Sequence, residues 1–526
     1  MRLRILSRSS ELARVQARLV GRTLQARFPD LDLVYDTRAS AGDHDTATPL
    51  ASFADKGVFT ADLSSALASG AADLVVHSWK DLPLDLPSGH VIGATLERAD
   101  PRDVLLVRRD VVAERPSKLR VLSSSPRRAW LLQDVLPQLL PWRASVEIVE
   151  VRGNVPTRIA KLIDGLERRS LGEGGRGDAL AVAKAALDRL LEGAGPERAS
   201  RVEGDGDADV KQRLRQHLDG CAWMVLPIKD VPTAPAQGAL AVEVSAANTA
   251  VRQRLEEISH RPTWDAVCRE REILARHGGG CHQALGATIL PRSYGTITSV
   301  RARSENGCVT TWSLSSEVRL PPRTSARYIW PRPDERGRAQ RTELDVPPPA
   351  DTPDLWISRS EALPEHWTIS PEQLVWTAGG TTWRRLAARG VWVNGCADGL
   401  GDDEHPDLRA LAGREPRWRR LTHSGADEMR SAQCAARGAH SEFFESAIAT
   451  YAVQTVLPED LPQRTHFFWT SGVLFRDALA RWPEIADRWH ASGPGRTSRV
   501  IIEALGSAQR FRVWLDYDEW VKEILE

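Results

Sequence analysis

The sequence predicts an α/β protein with several domains, and two observations indicate this. Short apolar runs alternate with segments of helical period, as where Leu3–Leu6 precedes an apolar stripe from Leu12 to Leu24. The chain has 526 residues, which at roughly 150 residues per domain corresponds to about three to four domains. Strands that alternate with helices favour parallel sheets with helices on their faces.

Composition excludes several other classes of protein. The chain is 42% hydrophobic and 27% charged, with 70 basic and 70 acidic residues, which is a globular composition. No apolar run reaches the roughly 18 residues of a membrane span, and Met1–Ser10 lacks the apolar core of a secretion signal. The 6 cysteines are scattered without paired spacing, so we expect no disulfides, no metal site and a cytoplasmic location. The sequence has no basic tail that would indicate binding to nucleic acid.

The elements of the first part follow in chain order. Beyond Leu3–Leu6, strands are predicted at Leu31–Tyr35, Asp73–His77, Leu119–Leu122, Val146–Val151 and Ala179–Ala183. Helices are predicted after a cap at Ser9 or Ser10 and at Val58–Ala68, Arg127–Leu136, Val155–Leu166, and up to Leu191. The charged stretch Glu192–Asp219 reads as an inserted loop or loose helix. Pro227–Val244 is apolar and strand-like, and Val251–Arg276 is a strongly helical segment.

The remaining segments predict further structure beyond that helix. Ala287–Leu290 and Val309–Leu314 alternate as in a small antiparallel sheet. Pro331–Pro353 is rich in proline and charge and reads as a linker. A second α/β series follows, with strands predicted at Leu355–Ser358, Val391–Asn394, His466–Trp469 and Phe511–Leu515.

Polar clusters follow four of the predicted strands, where ligands of open α/β sheets bind. They are Arg8 with Ser10, Ser78 with Lys80 and Asp81, Ser123 and Ser125 with Arg127 and Arg128, and Arg152 with Arg158. A hydroxyl and an arginine at a helix start can bind an anion. For any one cluster, a capped helix beside a surface arginine is an equally good interpretation. Four clusters in one chain indicate a cleft for a polyanion.

Two short motifs suggest chemistry beyond binding. Lys80 and Asp81 place a cation beside a carboxylate that can move protons, although a strand-end salt bridge is the simpler interpretation. Three glycines precede Cys281, where a thiolate could form a lasting covalent bond. A buried free cysteine after a flexible turn is the alternative.

Roughly residues 1–320 resemble hydroxymethylbilane synthase, also called porphobilinogen deaminase. The motifs that carry the resemblance are Leu3-Arg4-Ile5 with Arg8-Ser9-Ser10, Lys56-Gly57-Val58-Phe59, Val76–Pro83, Glu97–Asp103, Ser124–Arg128, Val151–Arg158, Ala236–Ala239 and Gly279-Gly280-Cys281. The resemblance implies condensation of four porphobilinogens into a linear tetrapyrrole with release of ammonia.

The same resemblance implies roles for individual residues. Asp81 would assist loss of ammonia and stabilise the cationic azafulvene, and Cys281 would hold a dipyrromethane cofactor through a thioether. Residues that would bind cofactor or substrate carboxylates are Lys80, Ser78, Ser123, Ser125, Arg127, Arg128, Arg8, Ser10, Lys56, Arg152, Arg158 and Arg189. The partners would be porphobilinogen and the growing tetrapyrrole, with no membrane and no nucleic acid, and the protein is expected to be a monomer.

The resemblance also implies two domains like periplasmic binding proteins and a small α+β domain that carries the cofactor cysteine. We expect the first domain at residues 1–103 and 227–246, the second at 104–226 with an insertion at about 192–219, and the third at 247–330. A linker at 331–353 and a C-terminal α/β domain at 354–526 complete the expected organisation.

The C-terminal part more loosely resembles uroporphyrinogen-III synthase, which closes hydroxymethylbilane into a ring. The supporting segments are Thr377–Thr382, Arg437–Ala439 with Tyr451, Trp469–Gly472 and Gly493–Thr497. Tyr451, Thr470 and Ser471 are the candidate site residues that this resemblance suggests. Two alternatives stay open: a deaminase with a non-catalytic C-terminal docking module, and a non-catalytic anion-binding protein.

Overall fold

The computed structural model describes residues 1–38, 61–164, 177–193, 206–278, 284–304, 307–336, 340–402, 404–424, 443–454 and 456–526. These residues form five sheets with helices on their faces, which confirms the predicted α/β class. Lys56 and Cys281 lie outside the described residues, as does the start of the helix predicted at Val58–Ala68.

The first half of the chain alternates strands and helices. Its strands are β1 (Arg2–Arg8), β2 (Asp32–Arg38), β3 (Leu74–Ser78), β4 (His90–Ala94), β5 (Asp103–Arg108), β6 (Lys118–Leu122), β7 (Ser145–Val149), β8 (Ala179–Ala183), β9 (Cys221–Val225) and β10 (Leu240–Ser245). Its helices are α1 (Glu11–Arg27), α2 (Ala61–Ala68), α3 (Arg109–Glu114), α4 (Pro126–Leu139), α5 (Val155–Asp164), α6 (Lys184–Glu192), α7 (Gly206–Asp219) and α8 (Thr249–Ile258). The predicted insertion thus contains a helix, α7.

These strands build two mixed sheets. The first has the order β2-β1-β3-β10-β4 and the second the order β7-β6-β8-β5-β9. The chain passes between the sheets twice, along residues 95–102 (the first crossover) and residues 226–239 (the second crossover). A Cβ on Gly238 would lie 2.5 Å from the carbonyl oxygen of Ala99, and Gly238 has a φ of +88°. The two crossovers therefore touch where only glycine fits.

The helical segment predicted at Val251–Arg276 is confirmed but divided, because α8 ends at Ile258 and a new helix, α9 (Arg261–Arg276), begins. His260 caps α9, and Pro262 in its first turn has no N–H to continue the preceding helix. Helix α9 packs on an antiparallel sheet. Its strands are β11 (Ala284–Arg292), β12 (Gly295–Ser304) and β13 (Gly307–Ser315). This sheet confirms the one predicted there.

The prediction of a strand at Pro227–Val244 was wrong for the residues before Leu240. In this part of the second crossover, backbone groups form hydrogen bonds with side chains instead of pairing with a neighbouring strand. The buried carboxylate of Glu270 accepts the N–H of Ala236 at 2.6 Å and that of Ile289 at 2.7 Å. Arg98 of the first crossover donates to both oxygens of Glu270, at 2.6 and 2.9 Å. One carboxylate of α9 therefore ties both crossovers to β11.

The C-terminal half contains two further sheets. Its strands are β14 (Ile329–Trp330), β15 (Gln340–Glu343), β16 (Asp354–Ile357), β17 (Val375–Thr377), β18 (Gly395–Cys396), β19 (Trp418–His423), β20 (Phe444–Gln454), β21 (His466–Trp469), β22 (Trp489–Ser492) and β23 (Phe511–Val513). Its helices are α10 (Gly380–Ala388), α11 (Arg409–Ala412), α12 (Gly472–Arg481), α13 (Arg496–Leu505) and α14 (Tyr517–Ile524).

The two C-terminal sheets have the orders β15-β20-β19-β16-β17-β18 and β14-β21-β22-β23. All neighbouring strands in them are parallel except β15 and β20. The strand predicted at Val391–Asn394 was wrong, since β18 begins at Gly395, and β15 lies within the segment interpreted as a linker. The chain first contributes β14 to the four-stranded sheet and then forms all six strands of the other sheet. It afterwards adds β21, β22 and β23 to the four-stranded sheet.

The two halves of the chain are joined through their sheet edges. The N–H of Val225 in β9 donates to the carbonyl oxygen of Asn394, just before β18, at 2.7 Å. The Asn394 side chain donates in turn to the carbonyl oxygen of Trp223 at 3.0 Å. Leu131 of α4 and Leu386 of α10 belong to one buried apolar cluster. The six-stranded sheet is thus packed against the second sheet as one continuous core.

Among the described residues, no helix combines the length and the apolar character that crossing a membrane requires.

Candidate functional site

A buried carboxylate gathers two of the predicted arginines. Asp103, at the start of β5, accepts from Arg127 Nη2 at 2.7 Å and from Arg128 Nη2 at 2.7 Å. Gln237 of the second crossover donates to the same carboxylate at 2.8 Å. Burial opposes ionisation of Asp103, but both arginines and these hydrogen bonds outweigh it and hold its pKa well below the usual range. Asp103 is therefore a fixed anion that orients Arg127 and Arg128.

Lys80 and Asp81 stand at the end of β3, in a short 3₁₀ turn that follows Ser78. Lys80 Nζ donates to Gln237 Oε1 at 3.3 Å, so the same glutamine connects Lys80 with Asp103. Burial lowers the pKa of Lys80, Asp81 opposes that change, and Arg128 adds to it. Ser78 exchanges hydrogen bonds with Gln16 of α1. Asp81 itself is exposed, with its carboxylate beside these cations.

Two more predicted arginines lie at the start of α5. Arg158 Nε donates to the carbonyl oxygen of Gly153 at 2.7 Å. Its pKa is lowered to about 10, first by burial and then by repulsion from Arg128 and Arg152, while Asp81 opposes the shift. Arg158 stays charged at neutral pH. Arg152 Nη2 is buried and has no hydrogen-bond partner among the described residues. The site thus concentrates positive charge that its own carboxylates do not neutralise.

The predicted hydroxyls serve first as local caps. Ser10 caps α1 by accepting from the N–H of Ala13 at 3.4 Å, and Ser125 caps α4 by accepting from that of Arg128 at 3.4 Å. Ser123 Oγ accepts the N–H of Ser125 at 3.2 Å. These contacts fit the simpler interpretation of those serines as helix starts.

The structure brings together some of the predicted residues around one small cleft. Arg8, Ser10, Ser78 and Asp81 line a cavity of about 80 Å³ between β1, β3 and α1. Arg189 does not line this cavity: its Nη2 donates to the carbonyl oxygen of Gly238 at 2.7 Å, and burial lowers its pKa to about 10. Lys56 and Cys281 are outside the described residues.

Sequence reasoning gave no role to Asp103, Gln237 or Gln16. Asp103 could have been noticed as an acidic residue that opens a wholly buried strand. Gln237 offered no signal beyond its place in the motif Ala236–Ala239, because its partners Lys80 and Asp103 are 157 and 134 residues away along the chain.

The described residues fit a polycarboxylate such as a dipyrromethane, each of whose pyrroles carries an acetate and a propionate. Besides Arg152 Nη2, the Nε atoms of Arg127 and Arg128 are buried without a hydrogen-bond partner among the described residues. Buried donors of this kind are costly unless a ligand or water accepts from them. Carboxylates would both accept these hydrogen bonds and neutralise the excess charge.

Two α/β sheets joined by two crossovers, with a cation-rich cleft at their strand ends, define a class of α/β proteins whose site is suited to a polyanionic ligand. Comparison with known proteins narrows this class. The family model for "porphobilinogen deaminase, dipyromethane cofactor binding domain" matches residues 3–253. The porphobilinogen deaminase of Moorella thermoacetica is 37% identical over 328 residues, which cover 62% of this chain and 91% of that protein. That of Desulforudis audaxviator is 36% identical over 282 residues, covering 53% and 77% respectively.

The chain belongs to the porphobilinogen deaminase family. The predicted hydroxymethylbilane synthase function and the dipyrromethane cofactor are thereby confirmed. Among solved structures, the OxyR2 E204G regulatory domain from Vibrio vulnificus was matched over 49% of this chain and 94% of the length of that domain. Its identity is 13% and its TM-score 0.23, so nothing about this chain follows from it. The matched family model ends at residue 253, and the cyclase resemblance of residues 354–526 stays a prediction.

Proposed function

We propose that the deaminase reaction takes place at the cleft around Asp81, in a three-domain unit of residues 1–103 with 227–246, 104–226 and 247–330. The observation that carries this proposal is one exposed carboxylate, Asp81, beside Lys80 and Arg158, with Arg152 close to Arg158. Cations of this kind hold the acetate and propionate groups of porphobilinogen. The dipyrromethane, when bound, supplies the pyrrole carbon to which the first substrate is joined.

Asp81 is proposed to act on the substrate's aminomethyl group. In each condensation the carbon–nitrogen bond breaks, ammonia leaves, and a methylene–pyrrole bond forms with loss of a proton from the pyrrole carbon. The carboxylate of Asp81 would stabilise the positive charge that ammonia loss creates, and can then accept that proton. Its exposure leaves it free to meet successive substrates, while Asp103 keeps Arg127 and Arg128 in place.

We further propose that Cys281 holds the dipyrromethane. Helix α9 ends at Arg276, and Gly278 follows with a φ of +88°. The intact mass of the chain, produced in cells supplied with porphobilinogen, should exceed the polypeptide mass by two linked pyrroles. Cys281→Ser should show the polypeptide mass alone, because a serine hydroxyl does not form the thioether.

Cys268→Ser is the matched control, since Cys268 lies in the same helix as Arg276 and is half-buried. It should carry the same added mass as the unaltered chain. An added mass retained in Cys281→Ser would assign the cofactor to another residue.

For residues 354–526 we propose cyclisation of hydroxymethylbilane to uroporphyrinogen III. Cations from both C-terminal sheets converge on His423, at the end of β19. Burial lowers the pKa of His423, and repulsion from Arg420, Arg359 and Arg496 adds to this effect. Arg359 follows β16 in one sheet, and Arg496 begins α13 after β22 in the other. A linear tetrapyrrole with eight carboxylates would suit such a site.

The three candidate residues from the sequence lie at or near strand ends of these two sheets. Tyr451 is buried in β20, beside His423 at a ring separation of 5.9 Å, and burial raises its pKa. Thr470 is exposed immediately after β21. Ser471 caps α12 by accepting from the N–H of Leu474 at 3.4 Å. Hydroxyls and N–H groups of this kind could orient the terminal pyrrole while the ring closes.

The isomer formed from porphobilinogen tests the cyclase proposal. The full chain should give uroporphyrinogen III, because an enclosed linear tetrapyrrole cannot close spontaneously to isomer I. Tyr451→Phe, which removes one buried hydroxyl, should raise the share of isomer I without slowing porphobilinogen consumption. Isomer I alone from the unaltered chain would favour the alternative of a C-terminal docking module.

A further inference from the structure

A loop of the C-terminal half touches both crossovers of the deaminase. We call residues 394–402, which comprise the short strand β18 and the loop after it, the bracing loop. Asp398 Oδ2 in this loop accepts the N–H of Ile228 at 3.1 Å, and its Oδ1 accepts that of Lys229 at 3.2 Å. Cys396 O accepts from Arg102 Nη1, on the first crossover, at 3.4 Å. The chain therefore connects its two halves at the very segments that join the deaminase domains.

The second crossover continues from these contacts to Lys80, Arg127 and Arg128, which we call the cation cluster. Pro232 O accepts from Arg127 Nη1 at 2.9 Å. Five residues further on, Gln237 donates to Asp103 and accepts from Lys80. A displacement of Ile228 and Lys229 would therefore be passed to Arg127 and Lys80 through one short, continuous piece of backbone.

The bracing loop contains an aspartate, Asp398, that has an unusual backbone conformation and lies beside a cavity. Asp398 has a φ of +53°, in the left-handed region that non-glycine residues seldom adopt, although aspartate does so more readily than most. Asp398 is half-buried, and a cavity of about 470 Å³ adjoins it between the first crossover, α9 and β11. That cavity offers space into which the crossovers could shift if the brace were lost.

The groups that face Asp398 come from every element packed around it. Arg102 approaches from the first crossover, Asp230 and Lys229 from the second, and Cys396 from its own loop. Burial raises the pKa of Asp398 to about 6 and Asp230 adds to this, whereas Arg102 and the N–H donors of Lys229 and Ile228 oppose it. The carboxyl is ionised above about pH 6 and has two full acceptors only there.

We propose that Asp398 is a positioning residue for the deaminase reaction, which it serves by fixing the second crossover and, through it, Arg127 and Lys80. The C-terminal half thus contributes to turnover at a site that it does not itself line. This inference rests on the proposed deaminase site at Asp81.

Kinetics of the full chain test the proposal. Asp398→Asn keeps the shape of the side chain but replaces one acceptor by a donor that faces a backbone N–H. Its kcat for hydroxymethylbilane formation should fall about tenfold or more, since small displacements of positioning groups have effects of this size, with KM for porphobilinogen little changed. Glu372→Gln is the matched control: Glu372 pairs with Arg109 across the same two halves at 3.4 Å, on the exposed surface and away from the crossovers.

The pH profile separates positioning from a general loss of structure. Below about pH 6 the Asp398 carboxyl is protonated and loses an acceptor, so kcat of the unaltered chain should fall relative to that of Asp398→Asn, whose amide does not titrate there. The two profiles should therefore converge towards low pH. Equal kcat values for both at pH 7.5, parallel profiles, or an equal loss in Glu372→Gln would overturn the proposal.

Hydrogen exchange on the unaltered chain provides a test that needs no variant. After correction for intrinsic rates, peptides that contain Ile228 and Lys229 should lose protection between pH 7 and pH 5, while peptides from β6 should not. Unchanged relative protection of the crossover would contradict the proposal even if Asp398→Asn failed to fold. Failure of the deaminase site itself would be distinct, because the unaltered chain would then form no hydroxymethylbilane while the exchange result stood.

Discussion

Replacing Asp81 with alanine should abolish measurable hydroxymethylbilane formation while leaving the fold intact. A positioned acid–base group contributes about 10²–10⁴-fold to a rate, and in the proposed reaction this carboxylate also stabilises the charge that develops on the substrate. Asp81 is exposed, so its removal creates no buried cavity. The measurement is the rate of ammonia release and of hydroxymethylbilane formation at saturating porphobilinogen, together with the thermal unfolding curve.

Asp85→Ala is the control for this experiment. Asp85 is an exposed carboxylate four residues further along the same segment, and its main electrostatic effect falls on Arg271 rather than on the cation cluster. We expect this variant to keep the full rate. If Asp81→Ala retained more than a tenth of the unaltered rate, the role given to Asp81 would be wrong.

Replacing Asp103 with asparagine should cause the largest loss of stability. Removing one member of a buried ion pair typically costs about 3–5 kcal/mol, and here two guanidinium groups would lose their common anion. The asparagine would face Arg127 and Arg128 with one acceptor in place of two. The shift of the urea unfolding midpoint, followed by tryptophan fluorescence, measures this effect.

The pH dependence of the Asp103 contribution follows from the sign of its pKa shift. Because the folded-state pKa is lowered, the contribution to stability is fully present above the unfolded value near 3.8 and is lost as the pH falls below it. The unaltered chain and Asp103→Asn should therefore differ at neutral pH and approach each other in strong acid. Asp32→Asn is the control, since its pair with Arg2 is 69% exposed on both sides and should contribute less than about 1 kcal/mol.

Local patterns predicted much of the first half correctly. The helix predicted at Arg127–Leu136 begins one residue earlier, because Ser125 caps it without any distant partner, and Ser10, one of the two serines predicted to cap the first helix, caps α1 in the same way. The small antiparallel sheet was also predictable, since its strands follow one another along the chain. Such features depend on neighbours only a few residues away.

The electrostatic arrangement of the site could not be predicted, because its contacts join distant segments. Asp398 is 170 residues from Ile228, and no periodicity connects them. The apolar segment before Leu240 was mispredicted for the same reason. Its composition suggested strand pairing, but its backbone donates instead to Glu270, a buried acceptor on another element. Sequence pattern thus predicted where cations occur but not which of them are already held by carboxylates.

The hydrogen bond between Val225 and Asn394 has a further consequence for the solubility of the two halves of this chain. Strands β9 and β18 are the outer members of their sheets, and each partly covers the other's backbone. If the chain were divided into separate proteins, both halves would present bare strand edges and the apolar surface around them, which favour self-association. Joining the two halves in one polypeptide therefore also protects their solubility, and a split version would need new charged or proline residues along both edges.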